Sequence, residues 1–286
     1  MKNFAGRVAV ITGAASGLGR AMAERFAREG MKLVLADVNA ADLARAEAEL
    51  RAAGAAVIGV RTDVSKAGDV EALAVRTLEA FGAAHLVVNN AGVSPLGAVW
   101  EASVADWQWA LGVNLWGVIH GVRVFTPILL AHSAEAGGEG HIVNTASVSG
   151  LIAPPGMGVY NVTKHAVVAL TETLHHDLAR RGTHVKCSVL CPAYVPTGIA
   201  DSARNRPAEL SDSGRERSAG DLALEEGLKK AVRSGRISAA EVAQSVLDAV
   251  REERFYILTH PKILGAVRSR MEDILGGGDS RDPMAL

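Results

Sequence analysis

Tyr160-Asn161-Val162-Thr163-Lys164 sets a phenol and an ammonium one helical turn apart, on the same helix face. A free tyrosine ionises near pH ~10, so a phenol acting as a base near neutrality needs about 4 kcal/mol of help. One ammonium about 4 Å away, at an effective dielectric of about 20, supplies that much. In isolation the pair reads better as a surface Tyr/Lys pair. Its chemical meaning comes from a second segment, Thr12-Gly13-Ala14-Ala15-Ser16-Gly17-Leu18-Gly19, which follows the apolar run Val8–Ile11 and precedes the helical pattern Arg20–Phe26. Gly13, Gly17 and Gly19 allow a tight turn, and the helix that starts there offers N–H groups to anionic oxygens. Ser16 and Leu18 belong to the same turn. A phosphate-cradling turn and an ionisable phenol are what hydride transfer to a dinucleotide requires.

Other residues extend this pattern. Asp37 ends the second strand, where a carboxylate reaches the adenosine ribose hydroxyls. A 2′-phosphate there would meet a like charge costing about 4 kcal/mol at about 4 Å, so NAD is expected over NADP unless Arg20 or a group near Val38-Asn39 compensates. Asp63 and Val64 end the third strand and can reach the adenine edge. Ser147 follows a strand at the carboxyl edge of the sheet, where its hydroxyl can hold a substrate oxygen beside Tyr160. Asn114 lies in the apolar stretch Leu111–Leu115, where a buried amide must find partners. Each of Asp37, Ser147 and Asn114 also has a purely structural reading, as a turn, loop or backbone-satisfying residue.

The elements that must place these groups are legible as strand-length apolar runs alternating with helical patterns. Candidate strands are Val8–Thr12, Lys32–Ala36, Val57–Arg61, His85–Asn89, His141–Ala146, Val185–Leu190 and Phe255–Thr259. Their nearly continuous Val/Ile/Leu/Ala content suits a parallel sheet covered on both faces. Asn39 and Ser65 are candidate helix caps, Gly54 and Gly82 candidate stops, and Ser238 with Glu241 a capping box. The expected fold is α/β, a Rossmann-type doubly wound parallel sheet of about seven strands with helices on both faces. The chain is expected to form a single dinucleotide-binding catalytic domain over 1–286. The polar stretch around 198–236 reads as a mobile substrate lid, and 260–286 as a C-terminal arm.

These motifs, in this order, resemble the short-chain dehydrogenase/reductase family. The matching pieces are Thr12–Gly19, Asn89-Asn90-Ala91-Gly92, Asn114, Ser147, Tyr160 with Lys164, and Pro192 with Thr197. The resemblance implies Asn114, Ser147, Tyr160 and Lys164 as the catalytic set, with Asn114 anchoring a water that leads protons from Lys164 to solvent. It implies Asn90, Ala91, Gly92, Pro192, Ala193, Val195 and Thr197 as further cofactor contacts. Where the family usually has Pro-Gly, this chain has Pro192-Ala193, which narrows the turns open to the backbone there. Ser94, Leu151, Met157 and Tyr194, with Ser147 and Tyr160, are expected to face substrate. Homotetramer or homodimer formation is implied by resemblance alone, and Trp100, Trp107, Trp109 and Trp116 read as interface aromatics.

Composition narrows the remaining classes. Among 286 residues, 49% are hydrophobic and 21% charged, with 30 basic and 31 acidic side chains. Without a basic patch, nucleic-acid binding has no electrostatic support. No uncharged apolar run of membrane-spanning length stands out, so no membrane partner is expected. Lys2 and Arg7 before an apolar run mimic a secretory signal, but cleavage there would destroy the glycine turn, so a cytoplasmic protein is expected. Cys187 and Cys191 on one strand would lie about 13 Å apart, too far to bridge, and no metal-spaced cluster includes them. His175-His176, His120 and His165 read as packing or contact residues. The expected activity is hydride transfer between NAD and a neutral, hydrophobic or aromatic secondary alcohol or ketone. Two alternatives stay open: an NADPH-dependent ketone or acyl-thioester reductase, and a non-catalytic dinucleotide-binding regulator.

Overall fold

The computed structural model describes residues 1–134, 138–211 and 219–285. Among them, seven strands form one parallel sheet: β1 (Val8–Thr12), β2 (Lys32–Asp37), β3 (Val57–Arg61), β4 (Leu86–Asn89), β5 (Gly140–Thr145), β6 (Val185–Leu190) and β7 (Tyr256–Ile257). Their spatial order is β3-β2-β1-β4-β5-β6-β7. The chain therefore leaves β1 toward one edge and returns to the other side through β4. That reversal opens a crevice at the carboxyl ends of β1 and β4, where such sheets bind ligands.

Helices cover both faces. On one side α1 (Gly17–Arg28) and α8 (Ala239–Glu252) bury Met22, Phe26, Val246 and Leu247 against Ile11 and Leu33. On the other, α3 (Ala67–Phe81) and α5 (Gly117–Ser133) place Leu73, Phe125 and Leu129 against Val10, Val34 and Ile142. The third strand-covering helix on this side, α6 (Gly158–Arg180), packs Val167 and Val168 against Val189 and Cys191. Burial of strands on both faces explains their unbroken apolar sequences.

The local signals resolve physically. Asn39 caps α2 (Ala40–Ala52) by accepting from the Asp42 N–H at 3.1 Å, and Gly54 follows it at φ +90°. Ser238 and Glu241 form the capping box of α8. Ser65, expected as the α3 cap, instead donates its hydroxyl to Asp63 at 2.7 Å, and Lys66 occupies the cap position without a side-chain bond. His85 falls just before β4; its Nδ1 accepts the Val8 N–H at 3.1 Å, while its backbone bonds the Val8 carbonyl and the His141 N–H. The last strand is two residues long, since only Tyr256 and Ile257 pair with β6.

The stretch expected as a lid holds short 3₁₀ turns at Gly198–Asn205 and Ala208–Leu210, then α7 (Ala219–Arg233); its part at 212–218 lies outside the described residues. Beyond β7, α9 (Leu264–Gly276) precedes a terminus tied back by Arg281 to Asp273 at 2.6 Å. One continuous helical stretch, Val104–Ser133, is long and apolar enough by length and composition to cross a membrane, which the sequence reading did not anticipate. Here it packs on the sheet through α5, opening with α4 (Val104–Ala110) and passing through a π-helical turn at Leu111–Trp116.

Candidate active site

Gly13 leaves β1 at φ +64°, and a methyl group added there would lie 2.9 Å from the Ala91 Cα. The turn thus presses directly on the end of β4. Gly19 serves the same approach from behind: its added methyl would sit 2.1 Å from the Gly13 carbonyl oxygen. Gly17 also has a positive φ of +55°, and its methyl would meet the Thr197 Cβ at 3.3 Å. Thr12 fastens the two strand ends together, its Oγ1 accepting from the Asn90 N–H at 2.9 Å and the Ala91 N–H at 3.1 Å. Asn90 returns a bond from Nδ2 to the Thr12 carbonyl at 3.0 Å.

At the N-terminus of α1, Ser16 makes no side-chain capping bond and the first turn carries no acidic residue. Its backbone donors therefore face the crevice without competition from a protein carboxylate, the electrostatics a phosphate needs. Asp37 stands at the tip of β2, its two oxygens accepting from the Ala15 and Asn39 N–H groups at 3.0 Å each. Those bonds aim the carboxylate along the crevice rim. Asp63 is engaged more locally, accepting from both the N–H and the hydroxyl of Ser65. Arg20 pairs with Glu24 at 2.8 Å and Glu49 at 2.9 Å. The turn, the helix N-terminus and the placed carboxylate fit a dinucleotide, pyrophosphate at α1 and ribose at Asp37.

The chemical end lies beyond β4 and β5. Tyr160 and Lys164 rise from α6, buried, with the Lys164 Nζ 5.6 Å from the Tyr160 ring centre. Lys164 donates to the Thr145 carbonyl at 2.9 Å, which pins the ammonium to the end of β5. Ser147 begins the short 3₁₀ turn Val148–Gly150, and its Oγ reaches the Pro192 carbonyl at 3.3 Å. This turn lies so close to α6 that a methyl on Gly150 would sit 2.6 Å from the Lys164 carbonyl oxygen. Burial pushes the Tyr160 phenol up to about 12, partly offset by a hydrogen bond with Ser147. Burial also pulls the Lys164 ammonium down to about 8. Desolvation of both groups thus works against the lowering of the phenol by the ammonium that their spacing suggests.

Asn114 lies wholly buried in the π-helical turn. Its Oδ1 accepts from the Val93 N–H at 2.8 Å, while Nδ2 donates to the Val93 carbonyl at 2.9 Å and to Thr163 Oγ1 at 3.1 Å. It ties α5's approach, the β4 loop and α6 together beneath Lys164. Ala193 keeps a negative φ, so the backbone there needs no glycine, and its N–H donates to His260 Nδ1 at 3.1 Å.

The crevice is lined by Gly13, Ser16, Gly17 and Leu18, by Asp37, Asp63 and Val64, by Asn90, Ala91 and Gly92, and by Pro192, Ala193, Val195 and Thr197, together with Ser147, Tyr160 and Lys164. Gly19 and Asn114 stand behind this lining, as described. Ser94, Leu151, Met157 and Tyr194 are not among the lining residues. Ser94 reaches the site indirectly, its N–H donating to Ser202 Oγ at 3.0 Å. Leu151 packs beside α6, Met157 precedes that helix, and Tyr194 turns its carbonyl to His260.

Several lining residues escaped the sequence reading: Trp109, Val113, Val93, Arg204 and Val232. Trp109, expected at an interface, is buried against the crevice, with the Arg206 guanidinium 5.1 Å from its ring centre. Arg206 in turn bonds Asp106 at 2.6 Å, a pair whose side chains are 15% and 12% exposed. Four-residue spacing around Trp109 and Val113 was the available signal; Arg204 and Arg206 carried none.

Comparison with known proteins accords with this geometry. Residues 7–208 match the family model described as short chain dehydrogenase. A crystal structure of a short chain dehydrogenase/reductase from Burkholderia phymatum, in complex with NAD, superposes with a TM-score of 0.97 at 57% identity, covering 100% of each chain. The CLA biosynthesis dehydrogenase/reductase of Lactiplantibacillus plantarum is 33% identical over 97% of this chain and 96% of its own length. The 1-deoxy-11-beta-hydroxypentalenate dehydrogenase of Streptomyces exfoliatus is 35% identical over 94% and 88%. A match that spans every motif from the glycine turn to Thr197, on a sheet that opens at the β1/β4 reversal, leaves one assignment: this chain belongs to the short-chain dehydrogenase/reductase family and is an oxidoreductase that binds a nicotinamide dinucleotide.

Proposed function

We propose that the protein oxidises a secondary alcohol to a ketone, reversibly, with NAD as its cofactor. The observation that carries this reading is the Tyr160 phenol, buried beside Ser147 and Lys164 at the crevice wall. Bound there, the oxidised nicotinamide supplies a hydride acceptor. Ser147 orients the substrate oxygen, and Tyr160 removes the hydroxyl proton. Lys164, held by the Thr145 carbonyl, stabilises the phenolate and passes the proton onward, with Asn114 fixing the scaffold beneath it.

NAD rather than NADP is supported by Asp37, whose aimed carboxylate would repel a 2′-phosphate, and by Arg20, which two glutamates already engage. The substrate is neutral and hydrophobic or aromatic. Supporting this, the crevice lining includes the apolar Trp109, Val93, Val113, Ile199 and Val232. The chain acts as one catalytic domain, with the 198–236 stretch as its substrate-covering segment, supported by the crevice lining at Gly198, Ile199 and Ser202. A homodimer or homotetramer is supported by Trp100 and Trp116, which are 83% and 51% exposed near α4 and α5. A reducing, cytoplasmic setting is supported by the free buried thiols Cys187 and Cys191.

The test is a panel of aliphatic and aromatic secondary alcohols with NAD or NADP, followed by the absorbance of reduced nicotinamide. Turnover with NAD that Tyr160→Phe abolishes is the expected outcome. Preference for NADP, or turnover surviving that substitution, would overturn the reading.

A further inference from the structure

Ser202 is a polar residue of the crevice lining whose hydrogen bonding is half completed. It stands in the 3₁₀ segment Gly198–Asn205 and is only 5% exposed. A serine hydroxyl can both accept and donate. Ser202 Oγ accepts from the Ser94 N–H at 3.0 Å, but its own hydrogen meets no acceptor among the described residues. The carbonyl four residues back is the usual acceptor for a serine in a helical turn. Here it belongs to Gly198 and receives Arg204 Nη1 at 3.0 Å instead. Three residues on, Asn205 also lines the crevice, half-buried, and its amide makes no hydrogen bond among the described residues.

Two contacts fix where these groups stand. A methyl added to Gly92 would lie 3.6 Å from Lys164 Nζ and 3.5 Å from Asn114 Oδ1, so the loop after β4 abuts the chemical end. Ser94 lies two residues further along that loop, and Ser202 is bonded to it. Next to Asn205, Arg206 holds the segment against the crevice-lining ring of Trp109. The segment thus leaves the glycine turn at Thr197 and brings Ser202 and Asn205 to the substrate side. We propose that Ser202 and Asn205 form a subsite for a second, uncharged oxygen of the substrate, apart from the one that Ser147 and Tyr160 hold. This deepens the alcohol-dehydrogenase reading above and rests on it. A purely hydrocarbon substrate is penalised there, because it strips water from a buried donor and returns no acceptor. An ether, carbonyl or hydroxyl oxygen restores the bond. Hydroxyl and amide groups suit such an uncharged partner; the neighbouring Arg204 is exposed and spends Nη1 on its own turn.

The bland role of Ser202 is to latch the segment to Ser94. Two series of alcohols separate the roles, built on octan-2-ol and on 1-phenylhexan-1-ol. In each, an ether oxygen replaces one methylene at successive positions beyond the one adjoining the carbinol carbon, and NAD reduction is followed. Wild-type protein should favour one oxygen position over the all-carbon parent by about tenfold in kcat/KM. Ser202→Ala and Asn205→Ala should each lower that ratio severalfold, while Ser202→Thr, which keeps the hydroxyl, should preserve it. A wild-type ratio near one at every position overturns the assignment. So does a ratio that survives both alanine variants while turnover of all members falls together, the mark of a latch. Weaker NADH binding by calorimetry in Ser202→Ala, with the ratio intact, would place the hydroxyl on the cofactor and overturn it too. A matching alcohol ending in a carboxylate, preferred over every ether and losing that preference in Arg204→Ala, would overturn the uncharged assignment. Wild-type protein that binds NADH but turns over no alcohol of either series would remove the alcohol reading itself, and the subsite with it.

Discussion

At Tyr160 and Lys164, burial drives the two protonation equilibria apart, the phenol up to about 12 and the ammonium down to about 8. The Lys164 ammonium is therefore the first of the two to lose its proton, and its neutral amine can then receive the proton that Tyr160 takes from the alcohol. Alcohol oxidation needs a proton acceptor and so should rise with pH through about 8, while ketone reduction should be favoured below it. The pH profiles of kcat in both directions check this, and Lys164→Met should shift or abolish the transition while NADH still binds. A profile unchanged in Lys164→Met would show that another group sets it. Asp37 makes a separate prediction at the same scale. Replacing it with Ser removes the like charge facing a 2′-phosphate and should raise the NADP-to-NAD ratio of kcat/KM by orders of magnitude, up to about a thousandfold for a repulsion of about 4 kcal/mol. Some affinity for both cofactors should be lost as well, since Asp37 also holds the Ala15 and Asn39 N–H groups. An unaltered ratio would remove Asp37 from cofactor selection.

Between elements, the site depends on two close approaches. One is the turn carrying Ser147 against α6, which only a glycine at 150 permits. Gly150→Ala should force the turn off the helix, separating Ser147 from Tyr160. Overpacking of this kind costs about 1–3 kcal/mol, readable as a lower Tm, and kcat should fall more than NADH affinity because the cofactor turn at Gly13–Gly19 is untouched. The other is the contact of the 206–210 stretch with α4, where Arg206 stacks on Trp109, bonds Asp106, and donates from Nε to the Leu210 carbonyl at 2.6 Å. Arg206→Met keeps much of the stem that covers Trp109 and removes the charge pairing. It should raise KM for bulky aromatic alcohols with little change in NADH binding. Equal effects on small and bulky substrates would mean that Trp109 is not a substrate wall.

The molecule as a whole was legible where a pattern is local. Val8–Thr12, Val57–Arg61 and Val185–Leu190 coincide in sequence expectation and structure because strands buried on both faces must be apolar throughout. The glycine turn and the Tyr160/Lys164 spacing were legible for the same reason, each being set within one turn of backbone. Trp109, Arg204 and Arg206 were not, because they meet only after about a hundred residues of chain have folded between α4 and the 3₁₀ turns. The short 3₁₀ turns at 198–210 present no apolar stripe and so read as loop. Nor does any sequence pattern announce that His141 is wholly buried at the start of β5. There its Nε2 meets Ser188 Oγ at 2.8 Å, and Ser188 donates onward to the Arg254 carbonyl at 2.6 Å. The ring must therefore donate from Nε2, leaving Nδ1 without a partner. Burial, the N-terminal ammonium and Lys186 hold its pKa down at about 3, and burial, Arg7, His132 and Lys32 hold His85 at about 4. Both are neutral in the fold and ordinary in the unfolded chain, which takes up the extra protons as pH falls through about 6.5. Their contribution is complete above that pH and drains away from about 6.5 toward 4 for His85 and toward 3 for His141. For the fully buried His141 the slope approaches about 1.4 kcal/mol per pH unit. Urea unfolding between pH ~7 and ~5 reads this effect together with that of His120 and His260, which burial also holds low, while the carboxylates held low, Asp106 and Asp273, titrate below the range. His141→Gln, which keeps a donor for Ser188 but cannot take up a proton, should lose less stability over that interval than the wild type; equal losses would place the acid sensitivity elsewhere.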